Sequence, residues 1–217
     1  MNRKSFPAMF WCLVLFMSCS LPVLAQDMRS IQLPQPRMTG GKPLMQVLKE
    51  RRSTREFSSE KLSPQVLSDM LWAAFGINRS SGQRTAPSAN NRQEIDIYLA
   101  SSDGLYLYDA KANSLKQIST EDIRALTGSQ PYVKDAAVNL VYVADLPKGG
   151  RNDAAAQEFY SGANTGFISQ NVYLFCASEG LATVVRAMID KPALAKAMKL
   201  RPDQKIALAQ CVGYPKK

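Results

Sequence analysis

Three arginines and a serine fall within five residues, Arg51-Arg52-Ser53-Thr54-Arg55. Clustered guanidiniums repel one another unless an anion lies between them. A guanidinium fork matches the oxygen geometry of a phosphate, and a hydroxyl adds one more donor. The other reading is a solvated basic helix end, where cations also favour the helix dipole. A second observation concerns an omission: the 217 residues include no histidine. That excludes Ser-His-Asp and Cys-His triads and histidine zinc sites. A cofactor carrying its own reactivity fits such a shortage.

The elements that must position this cluster can be read from apolar spacing. Pro43 opens a helix with Leu44, Met45, Val47 and Leu48 on one face, and it runs into the arginines. Ser63-Pro64 is a cap followed by a first-turn proline, starting a helix with Val66, Leu67, Met70, Leu71 and Ala74 at helical spacing. Glu94 to Ser101 alternates Ile95, Ile97 and Leu99 inward, and Asp103-Gly104 turns the chain into Leu105-Tyr106-Leu107-Tyr108 as a hairpin. Ala137 to Ala144 is a nearly continuous apolar run of strand length, predicting a central strand. Asp153 to Gly180 is the longest helical stretch, with Phe159, Ala163, Phe167, Val172, Leu174, Phe175 and Ala177 spread nearly all round it. Such a helix is covered on several sides, by its own core or by a partner subunit. A short strand at Thr183-Val184-Val185, a helix over Lys191 to Lys199 and a strand over Gln204 to Val212 complete the chain. The layout is α+β, with helices packed about a mainly antiparallel sheet.

The first 25 residues read as a signal peptide. Arg3 and Lys4 precede the apolar run Ala8 to Met17, and Val23-Leu24-Ala25 offers small residues for cleavage before Gln26. The expected location is therefore exported and periplasmic. The run is shorter than the roughly 20 residues a membrane span needs. A lipid on Cys19 is the alternative, and it alone would bring the chain to a membrane. Residues 26–42 hold two prolines and Gly40-Gly41 and read as an extended arm, leaving 43–217 as one domain. Removal of Arg3 and Lys4 lowers the net charge from +9 to +7. The remaining charge is interleaved with Asp and Glu, without the basic stripe of a nucleic-acid binder. Cys176 and Cys211 are too few for a disulfide framework or a metal site, and read as small buried hydrophobes.

Four segments then carry a resemblance to a known family. KERRSTREFSSEKLSPQVLSDMLWAAFG (49–76) resembles the N-terminal signature of nitroreductase-type flavoproteins, particularly the branch similar to the azoline dehydrogenases of peptide-modifying clusters. Arg84-Thr85-Ala86-Pro87-Ser88-Ala89 with Asn91 resembles the family's Pro-Ser loop. Gly162 to Leu181 resembles its central dimer helix, and Val212-Gly213-Tyr214-Pro215 its closing segment. The segments occur in the family's order, and the resemblance spans residues 43–217.

The resemblance implies a three-layer fold, a homodimer and bound FMN, with a small-molecule electron donor and acceptor. Arg51, Arg52, Ser53 and Arg55 would hold the phosphate and ribityl chain and reach the pyrimidine edge. Pro87, Ser88 and Asn91 would come from the second subunit. The backbone of Val185, Arg186, Ala187 and Met188 would pass the isoalloxazine near N5, and Lys216 or Lys217 would add a phosphate contact. Relatives often have glycine where Met188 stands, which narrows the space opposite N5. No protein side chain is expected to be catalytic, since the flavin carries the chemistry by ping-pong transfer through N5. The alternative is a non-catalytic flavin- or peptide-binding module on the same scaffold.

Overall fold

The computed structural model describes Met1 and residues 29–150 and 153–217. The expected cleavage after Ala25 and the alternative lipid on Cys19 lie outside the described residues.

Among the described residues seven strands form one antiparallel sheet: β1 (Ser30–Gln32), β2 (Ile95–Ser101), β3 (Gly104–Asp109), β4 (Ser114–Ser119), β5 (Val138–Asp145), β6 (Ala182–Arg186) and β7 (Gln204–Gly213), in the order β1-β4-β3-β2-β5-β7-β6. The apolar run read as a central strand is β5, and all eight of its residues are buried. Its neighbours are β2, with Tyr98 opposite Val141, and β7, with Ala209 opposite Val141. The expected hairpin is β2–β3, closed by Gly104 at φ +132°. A side chain there would strike the carbonyl of Ser119, so glycine is required.

Among the described residues five α-helices accompany the sheet: α1 (Leu44–Glu50), α2 (Pro64–Phe75), the short α3 (Leu146–Gly149), α4 (Ala154–Glu179) and α5 (Lys191–Ala197). The Ser63 hydroxyl accepts from the Val66 N–H and starts α2 as its spacing predicts. Asp153 caps α4 through the N–H groups of Ala155 and Ala156. Gly180, left-handed at φ +70°, ends it. At 1.5 Å per residue α4 is about 39 Å long.

The period-2 alternation of the strands divides the core into two layers, one on each face of the sheet. Ile95, Ile97, Leu99, Leu140 and Tyr142 face α2 and α4, meeting Met70, Leu71, Ile168 and Val172. Tyr98, Ala100, Val141 and Val143 face the other way, toward Leu194 and Met198 of the α5 layer. Both faces of β2 are therefore covered, where the alternation alone suggested one inward face. Each fully buried Leu, Ile or Val contributes about 1.5–3 kcal/mol, so the central layer is where a charge would be least tolerated.

Two elements differ from the sequence reading. Residues 30–32 of the expected arm form β1, paired with β4, and β4 itself carries no clear apolar alternation. The arm then runs over α2, held by Arg37, which donates from its backbone N–H and its guanidinium to Asp69. In α1 only Val47 is buried, and Leu44, Met45 and Leu48 are exposed.

Candidate functional site

The arginine cluster begins where α1 stops: Arg51 is its C-terminal cap, donating its N–H to the Val47 carbonyl at 2.8 Å. The chain then runs extended beside β6 and the end of β7. Thr54 N–H donates to the Thr183 carbonyl at 2.9 Å, Ser58 N–H to the Tyr214 carbonyl at 2.9 Å, and Lys216 N–H returns to the Glu56 carbonyl at 3.3 Å. Three segments distant in sequence are thus brought together: the arginine cluster, β6 and the C-terminal residues. Between them and the C-terminal half of α4 lies a cleft of about 530 Å³, lined by Lys42, Lys49, Arg51, Arg52, Tyr173 and Thr183 among others.

The charges of this cleft are unevenly matched. Lys42 pairs with Glu50 at 2.7 Å, and that contact, followed by the Gln46 amide, holds the exposed Glu50 carboxyl below the usual range. Among the described residues no carboxylate pairs with Lys49, Arg51, Arg52 or Arg55. Arg51 instead lies over the Tyr173 ring, 5.2 Å from its centroid. Uncompensated guanidiniums beside an exposed serine hydroxyl suit a phosphorylated ligand. Arg51 and Arg52 line the cleft and would hold the phosphate end of FMN, while Ser53, Arg55, Val185, Lys216 and Lys217 lie outside its lining.

Tyr173 is a functional candidate missing from the sequence reading. Its hydroxyl lies 2.8 Å from Ser53 Oγ and accepts the Val185 backbone N–H at 2.9 Å. One aromatic residue in an apolar helix reads as core, and nothing in its spacing reveals partners 120 residues earlier and 12 later. Val185 is therefore tied to the arginine cluster through one side chain.

The rest of the expected site is dispersed. Ala187 and Met188 follow β6 without lining the cleft, and Met188 is 67% exposed. The Arg186 side chain turns into the core, where Nη2 donates to Thr127 Oγ1 at 2.8 Å and Asn139 Oδ1 at 2.6 Å. Burial pulls its pKa down, while Cys211 and Tyr132 act in the opposite sense. Arg186 therefore does not line the cleft. Cys176 and Cys211 are buried and form no disulfide, and Cys211 Sγ donates to Asn139 Oδ1 at 2.9 Å.

Pro87, Ser88 and Asn91 do not line this cleft either. They lie in a loop with Asn90, Asn91 and Gln93 in the left-handed region, at φ +54°, +52° and +51°. Ser88 Oγ accepts the Gln93 N–H at 3.0 Å, and Asn164 Oδ1 of α4 accepts the Ala89 N–H at 3.3 Å. Three non-glycine residues in this region store backbone strain, which persists only where the surroundings enforce it. Asn164 and Tyr173 are nine residues apart on α4, about 13 Å along its axis.

Comparison with known proteins matches residues 48–214 to the model of the nitroreductase family. A protein named as a candidate nitroreductase from Methanocaldococcus jannaschii is 32% identical over 168 residues, covering 73% of this chain and 83% of that protein. The crystal structure of a candidate nitroreductase from Ralstonia eutropha JMP134 is 40% identical with a TM-score of 0.84, covering 89% of this chain and 93% of that one. A candidate nitroreductase from Desulfovibrio desulfuricans, in complex with FMN, shares the fold at a TM-score of 0.60 and 22% identity, over 81% of this chain and 88% of that one.

Proposed function

The chain belongs to the nitroreductase family, and from that premise we propose that it is an exported, FMN-dependent oxidoreductase acting as a homodimer. The observation that carries the reading is the cleft where Arg51 and Arg52 meet β6 and the C-terminal segment, with guanidiniums that no carboxylate among the described residues pairs with. Bound FMN would supply the redox chemistry at N5, alternating between a donor and an acceptor in a ping-pong cycle. The protein's own groups bind and orient. Arg51, Arg52 and Arg55 neutralise the phosphate, Ser53 donates a hydrogen bond, and the backbone of β6 lines the reactive edge. Pro87, Ser88 and Asn91, absent from the cleft of their own chain, would complete the partner's site.

Absorbance of the purified mature chain tests this directly. A yellow protein that a chemical reductant bleaches and a quinone or nitroaromatic acceptor recolours supports the oxidoreductase. A colourless protein that takes up no added FMN overturns the cofactor assignment. The exposed Met188, standing where relatives often have glycine, favours a second reading: a flavin-binding module without turnover. Its signature is a protein that binds FMN, is bleached, and does not pass electrons on to any acceptor.

A further inference from the structure

We propose that Tyr173, which lines the cleft, is a positioning residue that orients the exposed Ser53 hydroxyl beside it as a hydrogen-bond donor and ties that donor to β6. The inference rests on the reading of the cleft as an FMN site. Tyr173 is 7% exposed and occupies the second-last turn of α4, so its phenol is fixed by packing. Three contacts converge on it. The Val185 N–H donates to Oη at 2.9 Å, Ser53 Oγ lies 2.8 Å from the same oxygen, and the Arg51 guanidinium covers the ring at 5.2 Å.

Counting hydrogens assigns the direction. A phenol has one hydrogen to donate and can also accept. The Val185 N–H can only donate, so it uses acceptor capacity of the oxygen. If Ser53 also donated to Oη, the phenolic hydrogen would be buried without an acceptor, a costly arrangement. The consistent assignment has Tyr173 donating to Ser53 Oγ. The serine's own hydrogen is then free, and Ser53 is exposed, so it points into solvent or to a ligand oxygen. The Arg51 stack holds the neighbouring guanidinium over the same ring. One buried side chain thereby sets a neutral donor, a cation and the β6 backbone in a single register before any ligand arrives. Pre-organisation of this kind raises affinity by reducing the ordering cost of binding.

The test is FMN titration of the purified full chain, followed by flavin fluorescence, for wild type, Tyr173→Phe, Ser53→Ala and the double variant. Tyr173→Phe keeps the ring, its packing and the Arg51 stack, and removes only Oη. The expected result is about a tenfold weaker FMN Kd for each single variant, with melting temperatures near wild type and no further loss in the double variant. Equal FMN affinity in wild type and Tyr173→Phe overturns the inference, and so do losses that simply add in the double variant. If Tyr173→Phe fails to fold, Ser53→Ala at its exposed position still decides, because unchanged affinity there overturns the proposal. A wild-type chain that binds no FMN overturns the cofactor reading itself, an outcome distinct from the others.

Discussion

The Asn164 side chain donates from Nδ2 to Glu94 Oε1 at 2.7 Å, with both residues buried, Glu94 at 1% and Asn164 at 2% exposure. The same amide accepts the Ala89 N–H through its oxygen. Among the described residues Glu94 Oε2 has no hydrogen-bond partner. The strained loop over 87–93 is thus tethered to α4 through one amide. Asn164→Ala is expected to lose about 2–3 kcal/mol of stability, since it leaves a buried carboxyl unsatisfied on both oxygens. Urea unfolding measures this, and amide exchange of residues 88–92 should accelerate with it. A stability within about 0.5 kcal/mol of wild type would show that the tether is not needed.

Phosphate binding gives a sharper expectation. Arg51→Ala combined with Arg55→Ala should cost several kcal/mol of FMN affinity, at about 1.5–3 kcal/mol for each charge-assisted contact. Neither guanidinium pairs with a carboxylate among the described residues, so no ion pair seen there is lost in the double variant. Calorimetric titration of FMN is the measurement. A double variant that purifies folded and fully yellow sinks the phosphate assignment.

What could be read in the chain follows physical scale. Ser63, Asp153 and Gly180 mark helix ends because capping is local chemistry, complete within four residues. The strand β5 is legible because burial on both faces requires an unbroken apolar run. β1 and β4 are not, because an edge pairing held by backbone hydrogen bonds leaves Ser30, Ile31 and Gln32 all exposed. The arginine cluster stood out because like charges in sequence stay like charges in space. Tyr173 did not, since its role exists only once residues 53 and 185 arrive beside it.

Alkaline stability should report buried phenols and thiols. Burial, followed by an opposing effect of Arg84, leaves Tyr108 pushed up to about 12, and burial likewise pushes the Cys211 thiol up to about 11. A phenol in the unfolded chain ionises near 10. Between these values the folded state holds the Tyr108 proton and the unfolded state has released it, so stability is fully present below about pH 10 and falls as pH rises toward 12. Tyr108→Phe removes this dependence and should make the decline shallower by about 2–3 kcal/mol across that window. Urea midpoints at pH 9 and pH 11.5 decide it, and parallel declines for both proteins would count against the assignment.

Export is tested on protein recovered from its native host. Mass spectrometry should find a chain beginning at Gln26, cleaved after Ala25. An N-terminal lipid-modified Cys19 would instead establish a membrane-anchored lipoprotein, and an intact Met1 would remove the case for export.

The homodimer is best tested on the outer face of α4. Phe159 is 69% and Phe167 47% exposed on this helix, and a Cβ built at Gly162 or Gly166 meets no atom within 4 Å. Spacings of three and four residues align Phe159, Gly162 and Gly166 along one stripe, with Phe167 at its edge. Two glycines one turn apart let a second backbone approach closely, and two flanking phenylalanines gain about 1.5–3 kcal/mol each on burial. A second copy of the chain, related by a two-fold axis, would bury the same stripe twice through one isologous contact. Burial of this stripe between subunits would also carry the Pro87–Asn91 loop, tethered to α4 at Asn164, toward the partner's cleft. Phe167→Glu places a charge on that face and should give a monomer by light scattering, with loss of bound FMN. A variant that stays dimeric would show that this face is not the interface. A monomer retaining one FMN per chain would show that each cleft is complete without its partner.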